Sequence, residues 1–127
     1  MNLDTQLHED RAKSLLRVSM IGGLNTDTAP GFEETLADAI ADDWQMVLLD
    51  MQALDYVSSA GLRVIFKAAK QLKSAGRSLA VANRQPQIAK VFEILQALPD
   101  MAVFSNDAEL DDYLDAMQAK VRDGNTP

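Results

Sequence analysis

Residues 45–62 read QMVLLDMQALDYVSSAGL, and this stretch decides the fold. Residues 45–51 form a short apolar run, which is typical of a strand that is covered on both faces at the centre of a sheet. Residues 58–61 lead into an amphipathic pattern, in which Leu62 and Ile65 begin an apolar stripe at helical spacing. The stretch therefore predicts a central strand, a turn and a helix, as in layered α/β proteins.

Strands and helices alternate on both sides of this unit. The hydrophobic pattern predicts further strands at residues 15–21, 79–82 and 101–104, and a weaker edge strand near Leu3 and Leu7. Three further helices are expected, one from Pro30, one from Pro86 to Pro99 and one from a cap at Asn106. This order predicts a layered α/β domain with right-handed crossovers between parallel strands.

The composition is that of one small folded domain. The chain has 127 residues, of which 47% are hydrophobic and 24% charged, so it can bury enough apolar surface to fold alone. It contains no cysteine and one histidine, which excludes disulfide frameworks and thiolate metal sites and predicts a function without a metal ion. No apolar run approaches the roughly 20 residues that span a bilayer, and residues 1–6 lack the pattern of a signal peptide. A cytoplasmic location without membrane insertion is therefore expected.

The charged residues are distributed unevenly along the chain. The formal net charge is −7, yet residues 59–90 contain seven basic and no acidic residues, while the rest of the chain contains five basic and all 19 acidic ones. No nucleic-acid partner is expected, because phosphate contacts need many clustered cations and few nearby anions. Two interpretations of the basic segment stay open, a solvated helix face and a local basic patch.

Catalytic motifs are absent from the sequence. The single histidine, His8, lies in the weak edge strand, and no Gly-x-Ser-x-Gly motif presents a nucleophile. No glycine-rich phosphate-binding motif occurs either. Acidic pairs such as Asp42-Asp43 are expected on solvated helices, where nothing gives a carboxyl group the burial that a general acid needs. We therefore expect a protein that is not an enzyme.

Ser58 and Ser59 precede the central helix and allow two roles. A serine at this place is typical of an N-cap, whose hydroxyl accepts a hydrogen bond from a backbone amide at the start of the helix. A serine in an exposed strand-to-helix turn is also suited to carry a phosphate, because the positive end of the helix dipole favours negative charge. Both roles can coexist in adjacent serines.

Several motifs spread over most of the chain resemble those of one known family. They are residues 22–29, 47–51, 54–62, 76–83 and 91–95, and the turn with two serines is the most specific of them. With these motifs the chain resembles the STAS domain family, named for sulphate transporters and anti-sigma factor antagonists. The resemblance implies a single STAS-like α/β domain over residues 1–119, with a mixed sheet of four to five strands and helices packed mainly on one face. A frayed polar tail is expected at residues 120–127.

The resemblance also implies the site. Family members that act as anti-sigma factor antagonists carry a phosphorylated serine two positions before the glycine of this turn. Ser59 has this spacing to Gly61, with Ser58 as the alternative acceptor, while Ser58 and Asn25 stand where such members often have aspartates. The partner-binding residues implied are the turn, the loop beside it and two cations of the helix: Asn25, Ser58, Ser59, Ala60, Gly61, Arg63 and Lys67.

Such a site implies a phosphorylation-controlled binding switch in a bacterial partner-switching pathway. The protein would sequester a serine kinase of the anti-sigma factor type while Ser59 is unphosphorylated, and a serine phosphatase would restore binding after phosphorylation. The ATP would belong to the kinase, so no cofactor is expected. The alternative is a constitutive STAS subunit of a larger assembly, such as a lipid-transport complex, in which the serines only cap the helix.

Overall fold

Five strands and four helices make up the described part of the chain. The structure, a computed structural model, describes residues 1–94 and 101–122, with the side chains of residues 1–92 and 102–116. The strands are β1 (Leu3–Asp10), β2 (Leu15–Leu24), β3 (Met46–Val57), β4 (Ser78–Ala82) and β5 (Met101–Phe104). The helices are α1 (Ala29–Ala41), α2 (Ser59–Ser74), α3 (Pro86–Ile94) and α4 (Asp107–Arg122).

The strands form one mixed sheet in the order of the chain. β1 pairs antiparallel with β2, whereas β3, β4 and β5 each add in parallel, which gives the order β1-β2-β3-β4-β5. Parallel neighbours need a crossover connection, and α1, α2 and α3 lie in the three crossovers. The prediction of a mixed sheet of four to five strands is confirmed.

β3 is the central strand, and the sheet is covered on both faces. Alternate residues of a strand point to opposite faces, so Val47 and Leu49 join the larger core beneath α1, α2 and α3, while Leu48 joins a smaller core beneath α4. All three side chains are fully buried, as the apolar run predicts. Helices are therefore packed mainly on one face, with α4 alone on the other.

α4 begins at the cap that the sequence predicts. Asn106 Oδ1 accepts a hydrogen bond from the Glu109 amide at 3.0 Å, and Glu109 Oε1 accepts one from the Ser105 amide at 3.2 Å. Two amides at the start of the helix are thereby satisfied, one by each side chain. Leu110 and Leu114 then face the smaller core, as their spacing predicts.

Parts of three predictions fall outside the described residues. The predicted helix end before Pro99 lies in residues 95–100, and the side chain of Met117, predicted to face inward, is also outside them. The predicted frayed tail covers residues 120–127. α4 continues through Arg122, and residues 123–127 are not described.

β2 runs through two glycines at which the sequence predicts the strand to end. Gly22 has a φ of +111°, a conformation that favours glycine, and a Cβ at this position would collide with the Asn2 carbonyl oxygen. The register of β2 against β3 shifts at the same point, between Gly22 and Gly23. The glycines therefore bend the strand instead of ending it, and β2 reaches Leu24.

β3 extends well beyond its neighbour β4. Its pairing with β4 ends at Asp50, whereas its pairing with β2 continues to Val57. Residues 51–57, which we name the overhang, extend about 23 Å at roughly 3.3 Å per residue. The sequence predicts a strand that ends at Met51, with residues 52–57 as a connection to the next helix. Pairing with β2 makes it a strand.

Arg77 ties the end of α1 to the loop before β3. Its guanidinium donates hydrogen bonds to three backbone carbonyls, those of Asp42 at 2.6 Å, Trp44 at 2.7 Å and Ile40 at 2.9 Å. Carbonyls at the end of a helix lack intrahelical partners and carry the negative end of the dipole, so a cation is favourable there. Arg77 is therefore a structural residue rather than a solvated cation of the basic segment.

Candidate functional site

The candidate site lies at the tip of the overhang. The Ser58 amide donates to the Leu24 carbonyl at 2.8 Å, which fixes the end of β3 against the end of β2. Asn25 follows Leu24 directly, so the structure brings Asn25 next to the start of α2. We refer to Asn25 together with residues 58–61 as the serine turn.

The two serines of the serine turn have different surroundings. Ser58 is the N-cap of α2, with φ −96° and ψ 170°, and its Oγ accepts a hydrogen bond from the Gly61 amide at 3.2 Å. Ser59 is the first residue of α2 and is exposed. Its hydroxyl has no hydrogen-bond partner in the part of the chain that the structure describes. Ser58 therefore caps the helix, whereas the Ser59 hydroxyl is free of hydrogen bonds within the described residues.

Gly61 allows α2 to start close to β2. The residue is buried, and a Cβ at this position would lie 2.5 Å from Leu24 Cγ and 2.8 Å from Leu24 Cδ2. The requirement is for space, since Gly61 has an ordinary helical backbone. A larger residue would push α2 away from the sheet and displace both serines.

Asn25 closes its own loop by hydrogen bonds. Asn25 Oδ1 accepts from the amides of Asp27 and Thr28, both at 2.9 Å. Thr28 Oγ1 accepts from the Asn25 amide at 2.8 Å and donates to the Gly23 carbonyl at 2.9 Å. Sequence analysis did not single out Thr28, and the available signal was Asn25, since asparagine side chains commonly accept nearby backbone amides in turns.

Both departures from the family's aspartates keep the local hydrogen bonds. An aspartate at position 25 could accept the same two amides, and an aspartate at position 58 could cap α2 as Ser58 does. The hydrogen bonds of Asn25 and Ser58 are therefore those that an acidic residue would make. An aspartate at either position would differ from the residue present chiefly in charge, because it would add a carboxylate near Ser59.

Arg63 and Lys67 lie one and two turns further along α2, and both are exposed. Lys67 Nζ is 3.5 Å from Glu33 Oε2 of α1, whereas Arg63 has no ion pair or hydrogen bond among the residues described. At a rise of about 1.5 Å per residue, Arg63 lies roughly 6 Å and Lys67 roughly 12 Å from Ser59 along the helix axis. Arg63 therefore adjoins the serine turn, beyond half-buried Ala60, and Lys67 belongs to the contact between α1 and α2.

A second polar cluster lies on the α4 side of the sheet. Asp50 accepts hydrogen bonds from Arg17 Nη1 at 2.8 Å and from Asn83 Nδ2 at 3.2 Å. Asp107, the first residue of α4, accepts from the same Asn83 nitrogen at 3.0 Å and the same Arg17 nitrogen at 3.4 Å. We refer to these four residues as the Asp50 cluster. It joins β2, β3, the end of β4 and α4, and sequence analysis did not predict it.

The Asp50 cluster favours the ionised form of one of its carboxyl groups. The hydrogen bond from the Asn83 amide is the main cause that holds the pKa of Asp107 below its ordinary value of 3.8. Partial burial opposes this effect, and the charge and hydrogen bond of Arg17 add to it. The ionised carboxylate of Asp107 therefore stabilises the packing of α4 against the sheet.

The described residues offer neither a metal-binding cluster nor a helix suited to span a membrane. In residues 1–94 and 101–122, no group of three or more histidine, aspartate or glutamate side chains is arranged to hold a metal ion. Within the same ranges, no helix has the length and apolar character needed to cross a membrane. His8 is exposed on β1.

The part of the sequence that forms most of the sheet, the overhang and the serine turn matches a known protein family. The model of the STAS domain family matches residues 7–110, which include all of β2 to β5 and the serine turn. The chain belongs to the STAS domain family. The resemblance expected from the sequence is thereby confirmed.

Relatives of this STAS domain are named as anti-sigma factor antagonists. BtrV of Bordetella bronchiseptica, a candidate anti-sigma factor antagonist, is 36% identical over 89 residues, which cover 70% of this chain and 77% of BtrV. The crystal structure of an anti-sigma factor antagonist from Mycobacterium paratuberculosis has a TM-score of 0.78 at 20% identity, covering 92% of this chain and 95% of its own.

The anti-sigma factor antagonist SpoIIAA, a Bacillus cell fate determinant, shares the fold in two forms. Its unphosphorylated form has a TM-score of 0.70 and its phosphorylated form one of 0.65, both at 17% identity. Each alignment covers 87% of this chain, with 96% and 99% of the SpoIIAA chains. The STAS fold is therefore compatible with phosphorylation in that relative.

Proposed function

We propose that this STAS domain is a phosphorylation-controlled protein-binding switch of the anti-sigma factor antagonist type. With Ser59 unphosphorylated, it binds and sequesters a serine kinase of the anti-sigma factor type, which then releases its other client. With Ser59 phosphorylated, it does not bind. The observation that carries the proposal is the exposed, unbonded Ser59 hydroxyl beside a separate capping serine. The relatives named as anti-sigma factor antagonists support it.

The partner proteins catalyse both the phosphorylation and the dephosphorylation of Ser59. The kinase transfers the γ-phosphoryl group of its ATP to Ser59 Oγ: a bond from Oγ to the γ-phosphorus forms, the bond from that phosphorus to ADP breaks, and the hydroxyl proton passes to a base of the kinase. A serine phosphatase hydrolyses the phosphoserine and returns the hydroxyl. The STAS domain is substrate and binder in this scheme, needs no cofactor and works in the cytoplasm, where the kinase finds its ATP.

A phosphate at this position weakens binding through charge and hydration. It adds about −1.5 to −2 charges and three strongly hydrated oxygens to a surface that has to lose water in the complex. The fold tolerates the same group, because Ser59 is exposed and lies at the positive end of the α2 dipole. Phosphorylation therefore changes the interface and leaves the domain folded.

Phosphopeptide mapping tests which serine is the acceptor. The partner kinase is captured with the Ser59→Ala protein as bait and is then incubated with ATP and each variant. We expect label in the wild type and in Ser58→Ala, and none in Ser59→Ala. Label that survives in Ser59→Ala and disappears in Ser58→Ala would make Ser58 the acceptor. No label in any variant would favour the constitutive subunit.

Calorimetric titration with the captured partner tests the switch itself. Ser59→Ala is expected to bind as tightly as the unphosphorylated wild type, Ser59→Asp about 10-fold more weakly, and the authentic phosphoprotein at least about 100-fold more weakly. Aspartate has a partial effect because it supplies one charge and lacks the shape of a phosphate. Thermal unfolding of the same samples shows whether the domain stays folded. Equal affinities of all four forms would contradict the switch.

A further inference from the structure

Arg63 is placed to reach a group attached to Ser59. The two residues are four apart on α2 and therefore share one face of the helix. Side chains of a helix lean toward its N-terminus, so Arg63 covers the turn that Ser59 begins. One turn rises about 5.4 Å, a distance that the arginine side chain can span.

Arg63 is the cation of α2 nearest to Ser59 in the sequence, and it has no partner of its own among the residues described. Lys67 pairs with Glu33 at 3.5 Å, and Arg77 donates to three backbone carbonyls. Arg63 is exposed, and among the residues described it forms no ion pair or hydrogen bond. The first turn of α2 contains no acidic residue, so no carboxylate of its own helix start competes for this guanidinium.

A phosphate on Ser59 matches the unused hydrogen-bonding groups of Arg63. The planar guanidinium presents parallel N–H groups that bind two oxygens of a phosphate at once, and both groups are charged. The serine turn contributes no opposing negative charge, because Asn25 and residues 58–61 are all uncharged. The uncharged serine turn and the unpaired guanidinium of Arg63 therefore both favour a phosphate on Ser59.

We propose that Arg63 captures the phosphate of phosphorylated Ser59, and that in the unphosphorylated protein it contacts an acidic group of the partner. This inference rests on the proposed phosphorylation of Ser59 and adds the residue that responds to it. Phosphorylation then acts twice on the interface, because it introduces the phosphate and withdraws the cation that the partner uses.

The capture is tested without any kinase by placing phosphoserine at position 59 through an expanded genetic code. Phosphorus NMR then follows the second ionisation of the phosphate in the wild type, Arg63→Gln and Lys67→Gln. A nearby cation stabilises the doubly charged phosphate, so its second pKa is expected to be about 0.2 to 0.4 of a unit lower in the wild type than in Arg63→Gln. Lys67→Gln, the matched control two turns away, is expected to titrate like the wild type.

The conservative variant separates capture from a general effect of charge. Arg63→Lys keeps the cation and loses the parallel N–H groups, so its titration is expected between those of the wild type and Arg63→Gln. Coincident titrations of the wild type, Arg63→Gln and Lys67→Gln would overturn the capture.

The role of Arg63 in binding is tested on unphosphorylated protein. Arg63→Gln is expected to weaken binding of the partner about 5- to 10-fold and to reduce the salt dependence of the affinity. Lys70→Gln, at an exposed position about three turns from Ser59 on α2, is the control and is expected to change the affinity less than about 2-fold. An unchanged affinity of Arg63→Gln would overturn the contact with the partner.

The two proposals fail in different experiments. If the kinase labels Ser59 and phosphate blocks binding while the phosphorus titrations coincide, the switch stands and the capture by Arg63 is wrong. If the titrations separate but phosphorylated and unphosphorylated proteins bind the partner equally, Arg63 holds the phosphate and the proposed switch is wrong.

Discussion

The serine turn and the Asp50 cluster are both polar sites at strand ends, and they use their polar groups in opposite ways. In the Asp50 cluster, Arg17 and Asn83 each donate to both carboxylates, and the charges meet within the chain. In the serine turn, Ser58 satisfies the backbone, while the Ser59 hydroxyl and the Arg63 guanidinium have no partner in the described chain.

This difference separates the residues that hold elements of the fold together from those whose polar groups have no partner in the described chain. The Asp50 cluster joins four elements, so its groups cannot be used for a ligand without undocking α4. The serine turn reaches its conformation with groups that Ser59 and Arg63 do not supply, so a partner can use both of these. Substitutions in the two sites are therefore expected to affect different measurements, stability in one and binding in the other.

The largest effect on stability is expected in the Asp50 cluster. Asp50→Ala leaves the cation of Arg17 half-buried with only the longer contact to Asp107, which is expected to lower the free energy of unfolding by about 2 to 3 kcal/mol. Urea denaturation measures this value. Asp55→Ala, an exposed position of the same strand, is the matched control and is expected to change it by less than about 0.5 kcal/mol. Equal stability of Asp50→Ala and Asp55→Ala would contradict the structural role of the Asp50 cluster.

A smaller loss is expected where the serine turn meets the core. Gly61→Ala places a Cβ against Leu24, and the crowding is expected to outweigh the better helix propensity and to cost about 1 to 2 kcal/mol. Gly31→Ala is the control on α1, where a Cβ has open space, and it is expected to raise stability by about 0.5 to 1 kcal/mol. Thermal unfolding distinguishes the signs, and stabilisation by both substitutions would contradict the close approach of α2 to β2.

The adjacent serines are expected to differ when each is replaced by alanine. Ser58→Ala removes the N-cap of α2 and is expected to cost about 1 kcal/mol, whereas Ser59→Ala removes an unbonded hydroxyl and is expected to stay within about 0.5 kcal/mol of the wild type. Denaturation in urea compares the two variants. If Ser59→Ala proved the more costly, the hydroxyl of Ser59 would not be free for a kinase.

The smallest expected effect is a dependence of stability on pH in the Asp50 cluster. The pKa of Asp107 is lowered in the folded protein, so its contribution is present above the ordinary value of 3.8 and is lost as the pH falls through the lowered folded value. Unfolding measured between about pH 5 and pH 2 should therefore show a steeper loss in the wild type than in Asp107→Asn. Asp111→Asn, exposed on α4, is the control and should follow the wild type. Parallel curves for the wild type and Asp107→Asn would contradict the contribution of this carboxylate.

Local patterns were sufficient to predict much of the fold. The apolar run at Val47 to Leu49 identifies the central strand, and Asn106 with Glu109 identifies the start of α4, because both signals lie within a few consecutive residues. The length of β3 could not be predicted in this way. Its overhang becomes a strand through pairing with β2, a contact between residues more than 30 positions apart in the chain.

The two polar sites also differ in how close together their residues lie in the sequence. The serine turn is visible in the sequence because Ser58, Ser59 and Gly61 are consecutive or nearly so. The Asp50 cluster collects residues from four separate elements, and its one sequence signal is the charge of Asp50 within a buried strand, which requires a partner. The sequence gives no means of choosing Arg17 over another cation as that partner.

The overhang has a consequence for how copies of this domain can diverge. The serine turn lies at the far end of residues 51–57, about 23 Å along the strand from Asp50 at roughly 3.3 Å per residue. Substitutions that far apart contribute independently to stability, so a change at an exposed tip residue such as Ser59 needs no compensating change in the Asp50 cluster. Copies of the domain can therefore differ at the tip, and so in the surface that they offer to a partner, while retaining one common scaffold.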